Sequence, residues 1–422
     1  MPLNGHSILF APAQYITGYD VGGSELQWAF DIVCEAAHRF STVDVVLCDL
    51  RNGSFPDNVR VHAVDIARRV NYLEAKEAAR FVARYTRTAL PLCRDAPPSI
   101  LHHAFPWSAR TFNPLILGRG TPFGPPRSTR IVMGPLQPPM LGVSTLGEEG
   151  ARFAPASPTG PAAADAKQGM DFGVFEGPLR SLCRATLRRA DAIIALNDAA
   201  KEFVLAAGVR VPVHIIPAGV RLERFAVPDR AARDGPLRIA CVAYLIKRKR
   251  IDVVLAALAR ARAAGTDATL ILAGDGPERE PLGALVAQLG LESAVQLLGH
   301  VPNDRIPDVF AQADVFVTMS QVDPHPPAVL EAMAAGLPVI STRTDGAIEF
   351  IEDGVTGTFV PFDDAAALAA AIGRYASDRE LRLRQGAAAR ERIEREYSWH
   401  AIGDRYAAVY ESLLDGAPPH AR

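Results

Sequence analysis

Two acids stand eight positions apart in the stretch "MSQVDPHPPAVLEAMAAGLPVISTRTDG": Asp323 and Glu331, with three prolines and a histidine between them. Proline is at home in the first position of a helix, where its missing N–H would find no partner anyway, so Pro326 and Pro327 mark the start of a helix and Gly336 its end. Asp323 then lies in the loop before that helix and Glu331 about one turn inside it, some four residues or roughly 6 Å along. Carboxylates so spaced can take hydroxyls at both ends of an extended ligand whose middle lies over the helix N-terminus. A phosphate suits that middle, because unpaired N–H groups and the helix dipole favour an anion. Sugar, diphosphate and ribose fit the order. Taken alone, the pair reads equally as a loop acid and a surface helix acid.

Other residues bear on the choice. Pro326 and Pro327 remove two amides that would otherwise face an anion, so neutralising charge must come from elsewhere. "AYLIKRKRID" (Ala243–Asp252) supplies it: Lys247, Arg248, Lys249 and Arg250 follow a strand, outside whose carboxyl end an α/β sheet binds ligands. By itself this run is also a solvated basic turn. "LAGDGPERE" is a tight turn at another strand end, and "YDVGGSELQWA" places Gly22 and Gly23 before a helix, where backbone can approach a phosphate closely. The latter is not G-x-G-x-x-G. "SILHHAF" puts His102 and His103 together at the end of a strand.

Short apolar runs such as "SILFAP", "TVDVVLC", "LRIACVAYL", "ATLILAGDG" and "DVFVTMS" alternate with longer amphipathic ones, the signature of parallel α/β layers. The alternation restarts after the turn-rich "PAGVRLERFAVPDRAARDGP" (Pro217–Pro236), which predicts two domains, residues 1–218 and 219–396. Pro138–Gly173, rich in proline, alanine and glycine, is too long for an ordinary connection and is expected to be either mobile or a functional lid. The closing "YSWHAIGDRYAAVYESLLDG" is an amphipathic helix with aromatics on one face.

Composition narrows the class. The 422 residues, 49% hydrophobic and 22% charged, describe a soluble globular protein, and a net charge of −2 gives no reason to expect nucleic acid or an anionic membrane as main partner. The five cysteines (Cys34, Cys48, Cys93, Cys183, Cys241) are scattered, form no C-x-x-C, and read as small apolar residues in a reducing compartment. No charged leader precedes an apolar run at the N-terminus and no stretch is apolar enough to span a bilayer, so a cytoplasmic protein is expected. Peripheral membrane contact stays open. Heavy use of alanine, arginine, glycine and proline hints at a GC-rich bacterial genome.

Taken in order, these segments resemble glycosyltransferase family 4. The likeness is strongest from Leu237 to Asp364, through "VAYLIKRKRID", "LILAGDGPERE", "VQLLGHVPNDRIPDVFAQADVFVTMS", "LEAMAAGLPVIST" and "DGAIEFIEDGVTGTFV". The N-terminal half is similar more loosely. The resemblance implies an α/β protein of GT-B fold, with two Rossmann-like domains facing a central cleft and a final helix (397–416) packing back on the first domain. It implies a retaining transferase using a nucleoside-diphosphate sugar, UDP being the commonest donor base in the family, without cofactor or metal. The partners would be that donor and a small-molecule, lipid or glycan acceptor.

Carried over by position, Glu331 matches the glutamate that binds the donor ribose. Asp323 matches the first acid of E-x7-E, which contacts the donor sugar near the reacting carbon. Lys249 matches the lysine that neutralises the diphosphate, and Gly23, beside Gly22, the glycine that approaches diphosphate or acceptor. His300–Val301 resembles the turn that reads the base, and Glu349 a supporting acid; His325, Ala328 and Val329 fall in the donor-binding loop and first helical turn. His102 and His103 both suit the family histidine that lies against the donor sugar. The chain departs from the family in three places. The first acid is aspartate, one methylene shorter. His325-Pro326-Pro327 replaces Phe-Gly-Leu. Tyr244 replaces an arginine, for which Lys247 or Arg248 would substitute. The aspartate and the prolines also leave room for a non-catalytic scaffold subunit, and the fold for a nucleotide-sugar epimerase.

Overall fold

The computed structural model describes residues 3–18, 25–51, 53–64, 75–104, 112–136, 178–206, 208–231, 233–323 and 325–415. Gly22, Gly23 and the expected lid at 138–173 lie outside them. The chain divides into two compact units, Met1–Ala218 with Trp399–Arg422, and Gly219–Ser398.

The first unit is built on seven parallel strands: β1 (Ser7–Gly18), β2 (Thr42–Arg51), β3 (Val59–Ala63), β4 (Ile100–His103), β5 (Arg130–Leu136), β6 (Ala192–Ala195) and β7 (Val213–Ile215). Their order is β3-β2-β1-β4-β5-β6-β7. Because successive side chains of a strand point to opposite faces, β1 feeds two cores. Leu9 and Ala11 pack beneath α2 (Ala75–Asp95), α3 (Pro114–Leu117), α4 (Pro178–Leu187) and α5 (Asp198–Ala206). Ile8 and Phe10 pack on the other side against α1 (Glu25–Ala37). The second unit repeats the plan with β8 (Leu237–Val242), α6 (Ile251–Ala263), β9 (Ala268–Ala273), α7 (Arg279–Gln288), β10 (Val295–Gly299), α8 (Ile306–Gln312), β11 (Val315–Thr318), α9 (Pro327–Ala334), β12 (Val339–Ser341), α10 (Ala347–Phe350), β13 (Gly357–Phe359), α11 (Ala365–Ser377) and α12 (Arg379–Glu396). Its six parallel strands run β10-β9-β8-β11-β12-β13. Ile239, Cys241, Val315 and Val317 face one core, Ala240 and Phe316 the other, so these strands are apolar on both faces as buried parallel strands must be.

The last helix, α13 (Trp399–Leu414), belongs to the first unit. Trp399, Ile402, Tyr406, Val409, Tyr410 and Leu413 share a core with Trp28, Ile32 and Ile8. All five cysteines are free thiols, and four of them are buried. Among the described residues no helix is long and apolar enough to cross a membrane.

Candidate functional site

In the second sheet the chain leaves β8 toward β9 on one side and leaves β11 toward β12 on the other. This reversal opens a crevice at the carboxyl ends of two adjacent strands, the place where doubly wound sheets bind ligands. The basic turn follows β8 and the Asp323 loop follows β11, so the topology brings together segments some seventy residues apart in sequence.

The basic turn is tightly held. Lys247–Lys249 forms one 3-10 turn, and Arg250 takes a left-handed conformation (φ 48°), unusual for a residue with a Cβ. Its guanidinium bridges to Asp252 at 3.0 Å and to Asp363 at 2.5 Å, and Asp363 is itself left-handed (φ 64°). Arg250 is therefore a structural clamp. Close backbone contact holds the turn from the β9 side as well. Leu245 N–H donates to the Asp275 carbonyl (2.9 Å) and Gly274 N–H to the Gly299 carbonyl (2.8 Å). A Cβ on Gly274 would overlap the Ala243 carbonyl oxygen, so only glycine fits.

The remaining basic residues diverge. Lys247 is exposed. Arg248 donates to the Val322 carbonyl at 2.8 Å, and its own carbonyl accepts from Gln321 N–H at 2.8 Å. Lys249 Nζ reaches Asp323 Oδ2 at 2.5 Å, with the two side chains only 16% and 11% exposed. The Asp323 carbonyl accepts from Gly346 N–H at 3.1 Å, tying the loop to the start of α10. Lys249 and Asp323 thus form an ion pair across the crevice.

α9 begins at Pro327 with Pro326 as its cap. Val329 N–H folds back on the Pro326 carbonyl (3.1 Å), and the Ala328 amide donates to no described residue. Among the described residues that amide is all this first turn offers an anion. Glu331 is half-buried one turn in, and its carboxylate makes no hydrogen bond or ion pair with a described residue; burial pushes that carboxyl up from 4.5 to about 7, against the pull of Arg224. Arg224 also bonds the Asn303 carbonyl at 2.5 Å, which links it to the turn containing exposed His300 and half-buried Val301. His325 is buried edge-on against Phe350, ring centroids 5.0 Å apart. Burial lowers its pKa to about 4 despite nearby Asp323, so the ring is neutral at pH 7. Glu349 is half-buried on α10, its carbonyl accepting from Tyr397 Oη (2.9 Å) and Arg392 (3.1 Å). Arg224 was missed in the sequence, where it lies in the turn-rich join between domains.

The two histidines of β4 part company. His102 is fully buried, with Nδ1 2.8 Å from Tyr410 Oη on α13 and Nε2 2.8 Å from the Gly134 carbonyl. A carbonyl can only accept, so Nε2 carries the proton and Nδ1 accepts from the tyrosine. Both ring nitrogens are used to join β4, β5 and α13, which is the bonding of a structural histidine and not of one facing a ligand. His103, the last residue of β4, meets Asn113 Nδ2 at 3.0 Å through Nδ1. Asn113 also caps α3 and donates to the Ala11 carbonyl at 2.8 Å. Burial lowers both histidines to about 3, so both are neutral. Among the described residues no group of three or more His, Cys, Asp or Glu side chains could hold a metal ion.

Residues 224–392 match the protein family described as "Glycosyl transferases group 1". Over 249 residues the chain is 31% identical to the GDP-mannose-dependent alpha-(1-6)-phosphatidylinositol monomannoside mannosyltransferase of Mycolicibacterium smegmatis, an alignment spanning 54% of this chain and 65% of that one. The chain thus spans just under two thirds of this curated relative. Among solved structures, sucrose-phosphate synthase from Thermosynechococcus elongatus superposes with a TM-score of 0.68 at 19% identity, over 97% of this chain and 99% of that one. Anabaena Alr3699/HepE, solved in complex with UDP and glucose, superposes with a TM-score of 0.65 at 18% identity, over 96% and 100%. These likenesses show the fold, which is GT-B.

Proposed function

We propose that this chain transfers a glycosyl group from a nucleoside-diphosphate sugar to an acceptor hydroxyl, with retention at the anomeric carbon and without a metal ion. The observation that carries the proposal is the Lys249–Asp323 pair at the switch point of the second sheet, inside the segment that matches the group 1 family. In this reading Glu331 accepts hydrogen bonds from the ribose hydroxyls and the His300–Val301 turn meets the base. Lys249 lies against the diphosphate with Arg248, which supplies the charge that Tyr244 does not. The Ala328 amide adds one donor, and Val329, His325 and Glu349 shape the pocket. Asp323 lies nearest the sugar.

Fixed cations aimed at the leaving diphosphate stabilise charge that develops only as the glycosidic bond breaks. The acceptor oxygen then bonds to the anomeric carbon on the face the diphosphate leaves, and its proton passes to the departing phosphate. No protein nucleophile is needed. UDP is the preferred donor base, supported by the UDP in the HepE crystal. GDP is the alternative, raised by the name of the mycobacterial relative. A thermal-shift and calorimetric panel of UDP, GDP, ADP and their sugars tests the assignment, with Glu331→Ala as control. Stabilisation of wild type by one nucleotide, lost in the variant, is expected; no response from folded protein refutes it. The engagement of Lys249 by Asp323 also supports a second reading, a donor-site scaffold without activity. Nucleotide binding without donor hydrolysis or transfer to any acceptor would select it.

A further inference from the structure

We propose that a cavity on the second unit, at the opposite end of its strands from the crevice, binds a sugar-sized phosphate monoester. The site is separate from the donor-site reading and does not depend on it. The cavity, of about 770 Å³, lies between residues 222–231 and one face of α12. Asp314, just before β11, and Gly336, shortly before β12, also line it, which places it at the amino ends of those strands. Backbone contact fixes the position of α12, since a Cβ on Gly386 would stand 2.3 Å from the Gly336 carbonyl oxygen. Val227 lines the opposite wall and is 52% exposed. A space of this size suits a small metabolite better than a lone ion.

The charges of the lining define the ligand. Arg230 is 9% exposed and gives its three nitrogens to carbonyls, Nε to Ala313 (2.8 Å), Nη1 to Ala335 (2.9 Å) and Nη2 to Phe310 (3.1 Å). Burial lowers its pKa to about 10, with Arg233 pushing the same way and Asp314 opposing. Arg382 donates through Nη1 to the Tyr375 and Ala376 carbonyls, and burial lowers its pKa as well. Neither arginine makes an ion pair with a described residue. Arg379, one turn before Arg382, has only long contacts, 3.5 Å to the Arg230 carbonyl and 3.9 Å to Asp234. The acids that act on Arg382 are Asp314 and Asp378, and both are engaged elsewhere. Asp314 holds Arg233 (3.5 Å) and the Arg238 N–H (2.9 Å), and Asp378 caps α12. Three guanidiniums short of counter-charge favour an anion, as does the first turn of an 18-residue helix. Gly386 and Ala387 line the cavity four and five residues beyond Arg382, about 6–8 Å along the helix, and leave room there for a sugar ring. Glu391 and Glu394 follow at the far end, where a second phosphate would be repelled. One anionic head and a neutral body fit this order.

Calorimetric titration of the full chain with ribose 5-phosphate, inorganic phosphate and ribose tests the proposal. Ribose 5-phosphate should bind one to one and more weakly as salt is added, inorganic phosphate should bind less tightly, and ribose not at all. Arg379→Gln with Arg382→Gln should weaken binding about thirtyfold, through loss of two charge-assisted hydrogen bonds. Ala387→Phe, at an exposed helical position, should block binding by filling the cavity while leaving the arginines in place. Arg384→Gln, exposed on α12 outside the cavity, and Lys249→Met, in the crevice, should leave binding unchanged. Circular dichroism confirms that each variant is folded at the temperature of titration. No binding to wild type, equal binding of inorganic phosphate or ribose, or full binding by the double variant or by Ala387→Phe would each overturn the proposal. Binding lost in Lys249→Met and kept in the double variant would put the phosphate in the crevice and overturn it too.

Discussion

Glu331→Gln should make the second unit more stable while weakening nucleotide binding. Burial raises the Glu331 carboxyl from 4.5 to about 7, with Arg224 opposing. A carboxyl whose pKa is higher folded than unfolded holds its proton more tightly in the folded state. Its favourable contribution is complete below about pH 4.5 and is lost as pH climbs through 7. At about 1.4 kcal/mol per pH unit, the folded state carries a penalty of about 3 kcal/mol at about pH 8. Glutamine is nearly isosteric and uncharged, so it removes that penalty without opening a cavity. Urea denaturation of both proteins at intervals from about pH 5 to 8 should show curves that coincide at the acid end and separate steadily. The variant should be ahead by about 3 kcal/mol at the top, or roughly 6–12 °C in melting temperature. Subtracting wild type from variant cancels the other titrating groups, which lie at separate sites. A difference that does not change with pH, or a variant less stable at pH 8, would mean that the carboxylate is solvated or paired and would refute the burial argument. The same substitution should weaken binding of the matching nucleotide by about tenfold or more, since a hydrogen bond to a charged acceptor is lost.

Lys249→Met and Asp323→Asn should each destabilise the second unit by about 3 kcal/mol, by stranding a buried charge, and the double variant by clearly less than the sum. Additive costs in a denaturant cycle would show that the ion pair does not couple the two loops. Acidification should weaken the first unit progressively from about pH 6.5 down to about pH 3. His102 and His103 take up protons near 6.5 when unfolded but only near 3 when folded, so stability falls with pH, opposite in sign to the Glu331 effect. The slope should flatten in His102→Leu, and its persistence would count against the assignment. Gly274→Ala forces a Cβ into the Ala243 carbonyl and should abolish nucleotide binding with a large loss of stability; near-wild-type calorimetry would show that the loop contact is dispensable. Chelation with EDTA should leave transfer unchanged, and loss of activity restored by a divalent cation would refute metal independence.

Much of the second unit was legible because its signals are local. Pro326, Pro327 and Gly336 do bound a helix, Pro327–Ala334, and Glu331 does lie one turn inside it. The basic run does follow a strand. The meeting of Lys249 with Asp323 was not legible, because it depends on β8 lying beside β11, a fact of strand order that no local pattern contains. The four basic residues looked equivalent, yet ion pairs with Asp252 and Asp363 make Arg250 structural. His102 and His103 looked interchangeable for a similar reason. Contacts from distant segments distinguish them, Tyr410 and the Gly134 carbonyl holding His102 while Asn113 meets His103.

The arrival of Tyr410 bears on how the protein is made. The underside of the first sheet is sealed by a helix that begins at Trp399, after the whole of Gly219–Ser398. A ribosome adding roughly 5–20 residues per second takes about 10–40 seconds to cross that interval. Throughout it, Phe10, Trp28, Ile32 and Phe40 wait on an unfinished surface, with His102 lacking its tyrosine donor. The second unit has all its strands while the first is still open, so synthesis order and completion order are reversed. Slow codons or a pause after Ser398 would lengthen the interval in which the nascent chain offers an apolar face to chaperones or to its neighbours on the polysome.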